Sequence, residues 1–384
     1  MHNQIIDRVE VFVCAPPLRG STWTPEQPAP CTTHTFIRIS TCDGIVGVAA
    51  TDSYTTHHPD AVLAETLRDM IPDLLGRSAL QREGLWMHFK PRAYARSAQA
   101  QALIDVALWD IAAQAAGLPL FRLLGGYRER IDAYASTPVL ATPQAYVDAV
   151  QQLVEAGFAA IKFHCWCDPA RDLQLLEQVQ RAHGDKGLAL MLDVEQRYDL
   201  DAALKVGRVL GELGYAWFEA PLDDYDLAGY RHLSTRLQVP VLAAGNAITD
   251  SQLVAFAASQ QCWSRVRVDV MTCGGITPAL KIIHHAAASG LKVELQSWGH
   301  SLAQAANLHL MLGQPVCSYF EQACEVELFE FATANPIRTN AQGQVTVSQQ
   351  PGLGLQIDWE QIGRVAQLQL SVGRQAGAAH SPTY

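Results

Sequence analysis

Seven polar residues close short apolar runs between Ala160 and Glu321, and their types point to one chemistry. They are Lys162 in Ala-Ile-Lys-Phe-His, Asp193 in Leu-Met-Leu-Asp, Glu219 in Trp-Phe-Glu, Asn246 in Leu-Ala-Ala-Gly-Asn, Asp269 in Val-Arg-Val-Asp, Gln296 in Val-Glu-Leu-Gln and Glu321 in Tyr-Phe-Glu. Gathered at one mouth, the carboxylates would repel each other strongly unless a positive charge stood among them. A divalent cation is the simplest candidate.

The spacing says which elements must gather them. Successive positions lie between 23 residues (Asn246 to Asp269) and 31 residues (Lys162 to Asp193) apart, room for a strand, a helix and two short loops, so the stretch reads as consecutive βα units winding into a parallel barrel. In such a barrel the C-terminal strand ends converge on one face, where the chemistry sits. The first barrel strand is expected over 130–136 and the eighth over 317–322. Thr142-Pro143, Asp168-Pro169 and Thr277-Pro278 each read as an N-cap oxygen followed by proline at the first helical position, and the helix after strand seven is expected to begin near Ser301.

Ahead of the barrel, 5–14, 34–41 and 45–53 read as strands, with Cys42-Asp43-Gly44 as a hairpin turn. Two loops are candidate lids over a substrate pocket: Pro16 to Cys31, centred on Trp23, and Thr51 to Pro59, with His57 and His58. Helices are expected over 60–75, 81–89 and 97–116. In the last, Ala100, Leu103, Ile104, Ala107, Leu108 and Ile111 share a face, and Asp105 and Asp110 are assigned to capping or a salt bridge within the fold. Beyond Glu321 the pattern turns to short strands and turns, expected to fold back onto the N-terminal region, with a mobile tail from Gly373.

Composition narrows the classes. The chain has 384 residues and a net charge of 28 − 38 = −10, with no basic run, so nucleic acid is not an expected partner. The N-terminus lacks the pattern of a signal peptide and no apolar run reaches about 18 residues, so a cytoplasmic protein without a membrane partner is expected. The nine cysteines are scattered from Cys14 to Cys324 and fit reduced thiols better than a disulfide framework. Cys165 and Cys167, a C-x-C pair without a second pair, are weak grounds for zinc.

Several motifs together resemble the enolase superfamily, specifically its mandelate racemase and muconate lactonizing enzyme branch. They are Asp43-Gly44-Ile45-Val46-Gly47, Ile104-Asp105-Val106-Ala107-Leu108-Trp109-Asp110, Leu123-Leu124-Gly125-Gly126, Lys162-Phe163-His164, Phe218-Glu219-Ala220-Pro221, Ala243-Ala244-Gly245-Asn246, Cys273-Gly274-Gly275-Ile276-Thr277 and Pro351-Gly352-Leu353-Gly354. The resemblance implies an α/β fold, a (β/α)7β modified TIM barrel under an α+β capping domain built from both chain ends. Expected boundaries are 1–126 for the N-terminal capping part, 127–325 for the barrel and 326–384 for the returning segment. It also implies a small carboxylate substrate, a homo-oligomer, and removal of a proton α to the carboxylate, with Mg2+ holding the enediolate.

Carried over residue by residue, Asp193 and Glu219 match the first two Mg2+ ligands, and Asn246 stands where the third is usually a glutamate. The family's Lys-x-Lys becomes Lys162-x-His164. A lysine near a divalent cation and other positive groups has its pKa lowered toward neutrality, as a base requires, and His164 is a second base or a proton donor. Asp269 matches an aspartate usually paired with a histidine on strand seven, but Gln296 occupies the histidine position, so either His300 swings in from the loop or that face acts without a base. Glu321 matches a glutamate that, protonated, hydrogen-bonds the substrate carboxylate. Trp23, Gln296 and Trp298 are expected to contact substrate. The implied activity is dehydration of an aldonate- or aldarate-type acid sugar. Racemization or epimerization, cycloisomerization and a catalytically degenerate binding protein are the alternatives.

Overall fold

The computed structural model describes residues 3–16, 32–53, 59–324 and 326–374. Trp23, His57, His58 and the tail from 375 onward lie outside the described residues.

Three N-terminal strands, β1 (Ile6–Cys14), β2 (Thr33–Thr41) and β3 (Val46–Ser53), form an antiparallel meander. The turn between β2 and β3 passes through Gly44 at φ +83°, a conformation glycine adopts without steric cost. The C-terminal strand Ala366–Gly373 pairs antiparallel with the other side of β1, so the chain's ends share one sheet.

The helix Ala98–Ala115 joins this sheet to the rest of the molecule. Ser97 caps it through a hydrogen bond from Gln99 N–H (3.2 Å). Burial extends well beyond the one face expected, taking in Ala102, Asp105, Val106 and Asp110, because the helix packs between β3 and the helix Ile276–Ala288. At Gly47 a Cβ would lie 2.1 Å from the Ala107 carbonyl oxygen. Only a glycine lets β3 approach that closely.

Eight parallel strands follow: β4 (Ile131–Thr137), β5 (Ala160–His164), β6 (Ala189–Asp193), β7 (Trp217–Glu219), β8 (Val241–Leu242), β9 (Arg265–Val268), β10 (Lys292–Leu295) and β11 (Phe320–Ala323). Helices alternate with them, as the spacing predicts. Hydrogen bonding orders six of them β11-β4-β5-β6-β7-β8, with β9 and β10 in a second ladder. Ser264 N–H donates to the Val241 carbonyl (2.9 Å), and Val293 N–H to the Val316 carbonyl (3.1 Å). Tyr134, Ala160, Met191, Trp217 and Leu242 pack as a buried cluster on the strands.

Thr142 and Asp168 cap their helices as expected, accepting from Ala145 N–H (3.2 Å) and Ala170 N–H (2.9 Å). The third junction differs. The helix starts at Ile276 after Gly275, which has no capping side chain. Asp105 supplies the cap from across the fold, accepting from Thr277 N–H (2.9 Å) and Thr277 Oγ1 (2.6 Å). A Cβ at Gly275 would meet that carboxylate at 2.4 Å. Asp110 likewise accepts from Val48 N–H (3.0 Å) and Leu353 N–H (2.8 Å), tying β3 to the C-terminal segment.

Candidate active site

Strand register brings the expected residues together. His164 aligns with Asp193 and Asp193 with Glu219, so three polar side chains stand level at adjacent strand ends. Lys162, two residues lower on β5, faces the same side. Asp269 and Gln296 directly follow β9 and β10. Lys162, His164, Asp193, Glu219, Asn246, Asp269, Gln296 and Trp298 all line one cavity of about 280 Å³.

Lys162 lies at the centre of the charges. Its Nζ is 3.1 Å from Asp193 Oδ2, 3.0 Å from Glu219 Oε1 and 2.9 Å from Glu321 Oε1. Burial works to lower its pKa, but Glu219, Glu321 and Asp193 outweigh burial and hold it well above the usual lysine value. In the chain by itself the surrounding carboxylates set the direction of the shift, upward.

Sequence reasoning missed Arg267. Its Nη2 sits 2.7 Å from Glu321 Oε2 and 3.0 Å from Glu219 Oε1, and Nη1 donates to Tyr134 Oη (3.1 Å). The signal was present in Arg265-Val266-Arg267-Val268-Asp269, whose alternate residues share one strand face. Lys162 and Arg267 thus supply positive charge that the sequence argument had assigned entirely to a metal.

Glu321 departs from its expected role. Lys162 and Trp298 Nε1 (2.9 Å) occupy Oε1, and Arg267 occupies Oε2. Burial would raise this carboxyl, yet the two cations bring it down to about 2. It is an ionised partner of Lys162 and Arg267, not a protonated donor to substrate. Trp298 sets its ring edge-on to His164 (5.7 Å), and both line the cavity.

His300 does not join the cavity. Its Nδ1 accepts from Leu302 N–H (3.2 Å), capping the helix Ser301–Gly313, and Nε2 faces the Phe331 carbonyl (2.8 Å). Its ring packs against His34 and Phe36, and burial lowers its pKa to about 4. A helix that begins at Ser301 places residue 300 at its cap, and a capping imidazole is not free to swing.

His164 is held at both nitrogens. Nδ1 lies 2.7 Å from the Thr137 carbonyl, and Nε2 lies 3.4 Å from Asp193 Oδ2 and 3.3 Å from Glu195 Oε1. Burial alone would lower it, but the two carboxylates raise it to about 10. Glu195, also missed, follows Asp193 with φ +50°, a left-handed backbone that is strained for glutamate.

These residues fit a hard divalent cation. Asp193 and Glu219 already share one cation, the Lys162 ammonium, and Asp193, Glu195 and His164 bring one donor atom each within 4.8 Å of one another. Carboxylate and amide oxygens suit Mg2+. Asn246 reaches the cavity on a loop fixed by the buried Asp224, which accepts from Ala244, Asn246 and Ala247 N–H (2.9 to 3.0 Å). Asp224 too went unread, although it closely follows the Glu219-Ala220-Pro221 motif.

This fold and site define a class. Residues 9–125 match the mandelate racemase / muconate lactonizing enzyme N-terminal domain and residues 145–362 the enolase C-terminal domain-like family. The chain belongs to the enolase superfamily, in its mandelate racemase and muconate lactonizing enzyme branch. It is 30% identical to L-talarate/galactarate dehydratase of Salmonella typhimurium, over 88% of this chain and 83% of that one. That enzyme's structure with Mg and L-lyxarohydroxamate superposes with a TM-score of 0.86 at 26% identity, covering 96% and 95% of the two chains. A structure described as a mandelate racemase/muconate lactonizing enzyme from Pseudovibrio sp. superposes with a TM-score of 0.93 at 35% identity, covering 96% and 99%. The L-Lys-D/L-Arg epimerase of Methylococcus capsulatus is 26% identical over 83% of this chain and 90% of that one. No helix among the described residues is long and apolar enough to cross a membrane.

Proposed function

We propose that this protein is a Mg2+-dependent dehydratase of an acid sugar of aldonate or aldarate type, with His164 as the base that removes the proton α to the carboxylate. The observation that carries the reading is the level row His164, Asp193 and Glu219, which sets a histidine beside the candidate ligands, above an ammonium held by three carboxylates. The eight parallel strands in two ladders support a (β/α)7β barrel, and the sheet made by both chain ends supports a capping domain over it.

Asp193 and Glu219, with Asn246 or Glu195, would hold the cation. When bound it supplies Lewis-acid charge against the substrate carboxylate, worth several kcal/mol, and takes up the carboxylate charge that otherwise keeps His164 protonated. The Thr137 carbonyl fixes the imidazole through Nδ1 and leaves Nε2 as the atom that accepts the proton. Lys162, which also pairs with Glu321, contributes positive charge beside the substrate carboxylate. An epimerase of this design would need proton transfer on both sides of the α-carbon. The strand-seven position, where the family's second base stands, holds Gln296, whose amide takes up no proton.

The test is deuterium incorporation at the α-carbon of aldonates and aldarates in D2O with Mg2+. His164→Gln is expected to bind Mg2+ and lose incorporation. Incorporation that survives in His164→Gln but vanishes in Lys162→Ala would return the base to the lysine. Wild-type protein that neither incorporates deuterium into any of these acids nor dehydrates any of them would overturn the reading.

A further inference from the structure

Dehydration needs a second proton-transfer group, one that protonates the departing β-hydroxyl, and two of the positions that could supply it on the far side of the cavity are unsuited. Gln296 carries an amide, and both ring nitrogens of His300 are committed to backbone groups away from the cavity. Asp269 remains. It follows β9, four strands on from the β5 that carries His164, and its carboxyl is held in an unusual way. Oδ1 accepts both Met271 N–H (3.0 Å) and Asn307 Nδ2–H (2.8 Å). Asn307 is itself fixed, donating to the Ala303 carbonyl and accepting from Val270 N–H (both 3.2 Å). Among the described residues no hydrogen bond reaches Oδ2, and Asp269 lines the cavity.

Resting on the dehydratase reading above, we propose that Asp269 donates the proton to the leaving hydroxyl directly, through Oδ2, without an intervening histidine. His164 takes the α-proton, and the C–H electron pair becomes the Cα–Cβ double bond. The Cβ–O bond breaks with its pair on oxygen, which receives the Asp269 proton and leaves as water. Asp269 ends as carboxylate, His164 as imidazolium, and the enol product tautomerises to a 2-keto-3-deoxy acid. The surroundings raise the Asp269 carboxyl above its ordinary range. Burial raises it to about 6 against the lowering effects of Met271 N–H, Asn307 and Arg267, and Glu321 adds to the rise.

The experiment compares wild type, Asp269→Asn and Asn307→Ala on galactonate, galactarate, L-talarate and glucarate with Mg2+ in D2O, following α-deuterium in recovered substrate and keto-acid product separately, with thermal unfolding as the check on folding. In wild type, product formation is expected to fall as pH rises through about 6. Asp269→Asn keeps an acceptor for Met271 and Asn307, and is expected to retain α-deuterium incorporation, lose about 10²- to 10⁴-fold in product and lose that pH limb. Asn307→Ala keeps the carboxyl but removes a donor that lowers its pKa, so the limb should move to higher pH, which a merely structural role would not cause. Product at the wild-type rate from Asp269→Asn, or parallel loss of incorporation and product in both folded variants, would overturn the proposal while leaving the dehydratase reading intact. A wild-type protein showing neither readout would overturn both.

Discussion

At the scale of single residues, the site is a balance between buried carboxylates and two fixed cations. Glu219 and Glu321 each meet both Lys162 and Arg267, whereas Asp193 meets Lys162 and His164. In metal-free protein this makes His164 a source of pH-dependent stability. Its pKa is about 10 in the folded chain against 6.5 for the model imidazole. The folded state therefore binds the proton more tightly, and the contribution is complete below about 6.5 and lost as pH rises toward 10. Urea unfolding midpoints measured with a chelator present should fall across that window in wild type and vary less in His164→Gln. Equal slopes for the two proteins would show that the carboxylates do not grip the imidazole.

At the scale of elements, the Ala98–Ala115 helix joins the N-terminal sheet to the helix Ile276–Ala288. Asp105 caps the helix Ile276–Ala288 and Asp110 holds Val48 and Leu353, so one helix reaches three distant segments. Close approach at Gly47 is part of that junction. Gly47→Ala would push a methyl group against Ala107 and Ile111, and overpacking of this kind costs about 1–3 kcal/mol. A lower thermal midpoint is the expected result, and an unchanged one would mean that β3 can shift without loss. In Asp110→Asn, one side-chain oxygen that now accepts a backbone N–H becomes an NH2 group facing another donor. A cost of about 1–3 kcal/mol is expected from that unmade bond, read from the urea midpoint.

At the scale of the whole molecule, the chain's two ends close one sheet. Ala366–Gly373 covers the edge of β1 along most of its length, from Arg8 to Cys14. A chain ending at Val365 would expose that edge, and open edges pair with other chains. Such a truncation should sediment as larger species at concentrations where the full chain does not. If it remains as disperse as the full chain, the edge is protected by something other than the strand.

The sequence by itself settled the alternation of strands and helices, the helix starts at Pro143, Pro169 and Ser301, and the chemical types gathered at the strand ends. Those features follow from local periodicity, cap chemistry and the fixed two-residue repeat of a strand. It did not settle which charges neutralise which. Arg267 was legible as an alternate residue on a strand, but only the packing of β7, β9 and β11 sets it between Glu219 and Glu321. The ionised state of Glu321, the high pKa of Lys162 and the diversion of His300 to a helix cap were decided in the same way. A protonation state depends on burial and on neighbours distant in sequence, and these exist only once the strands are side by side.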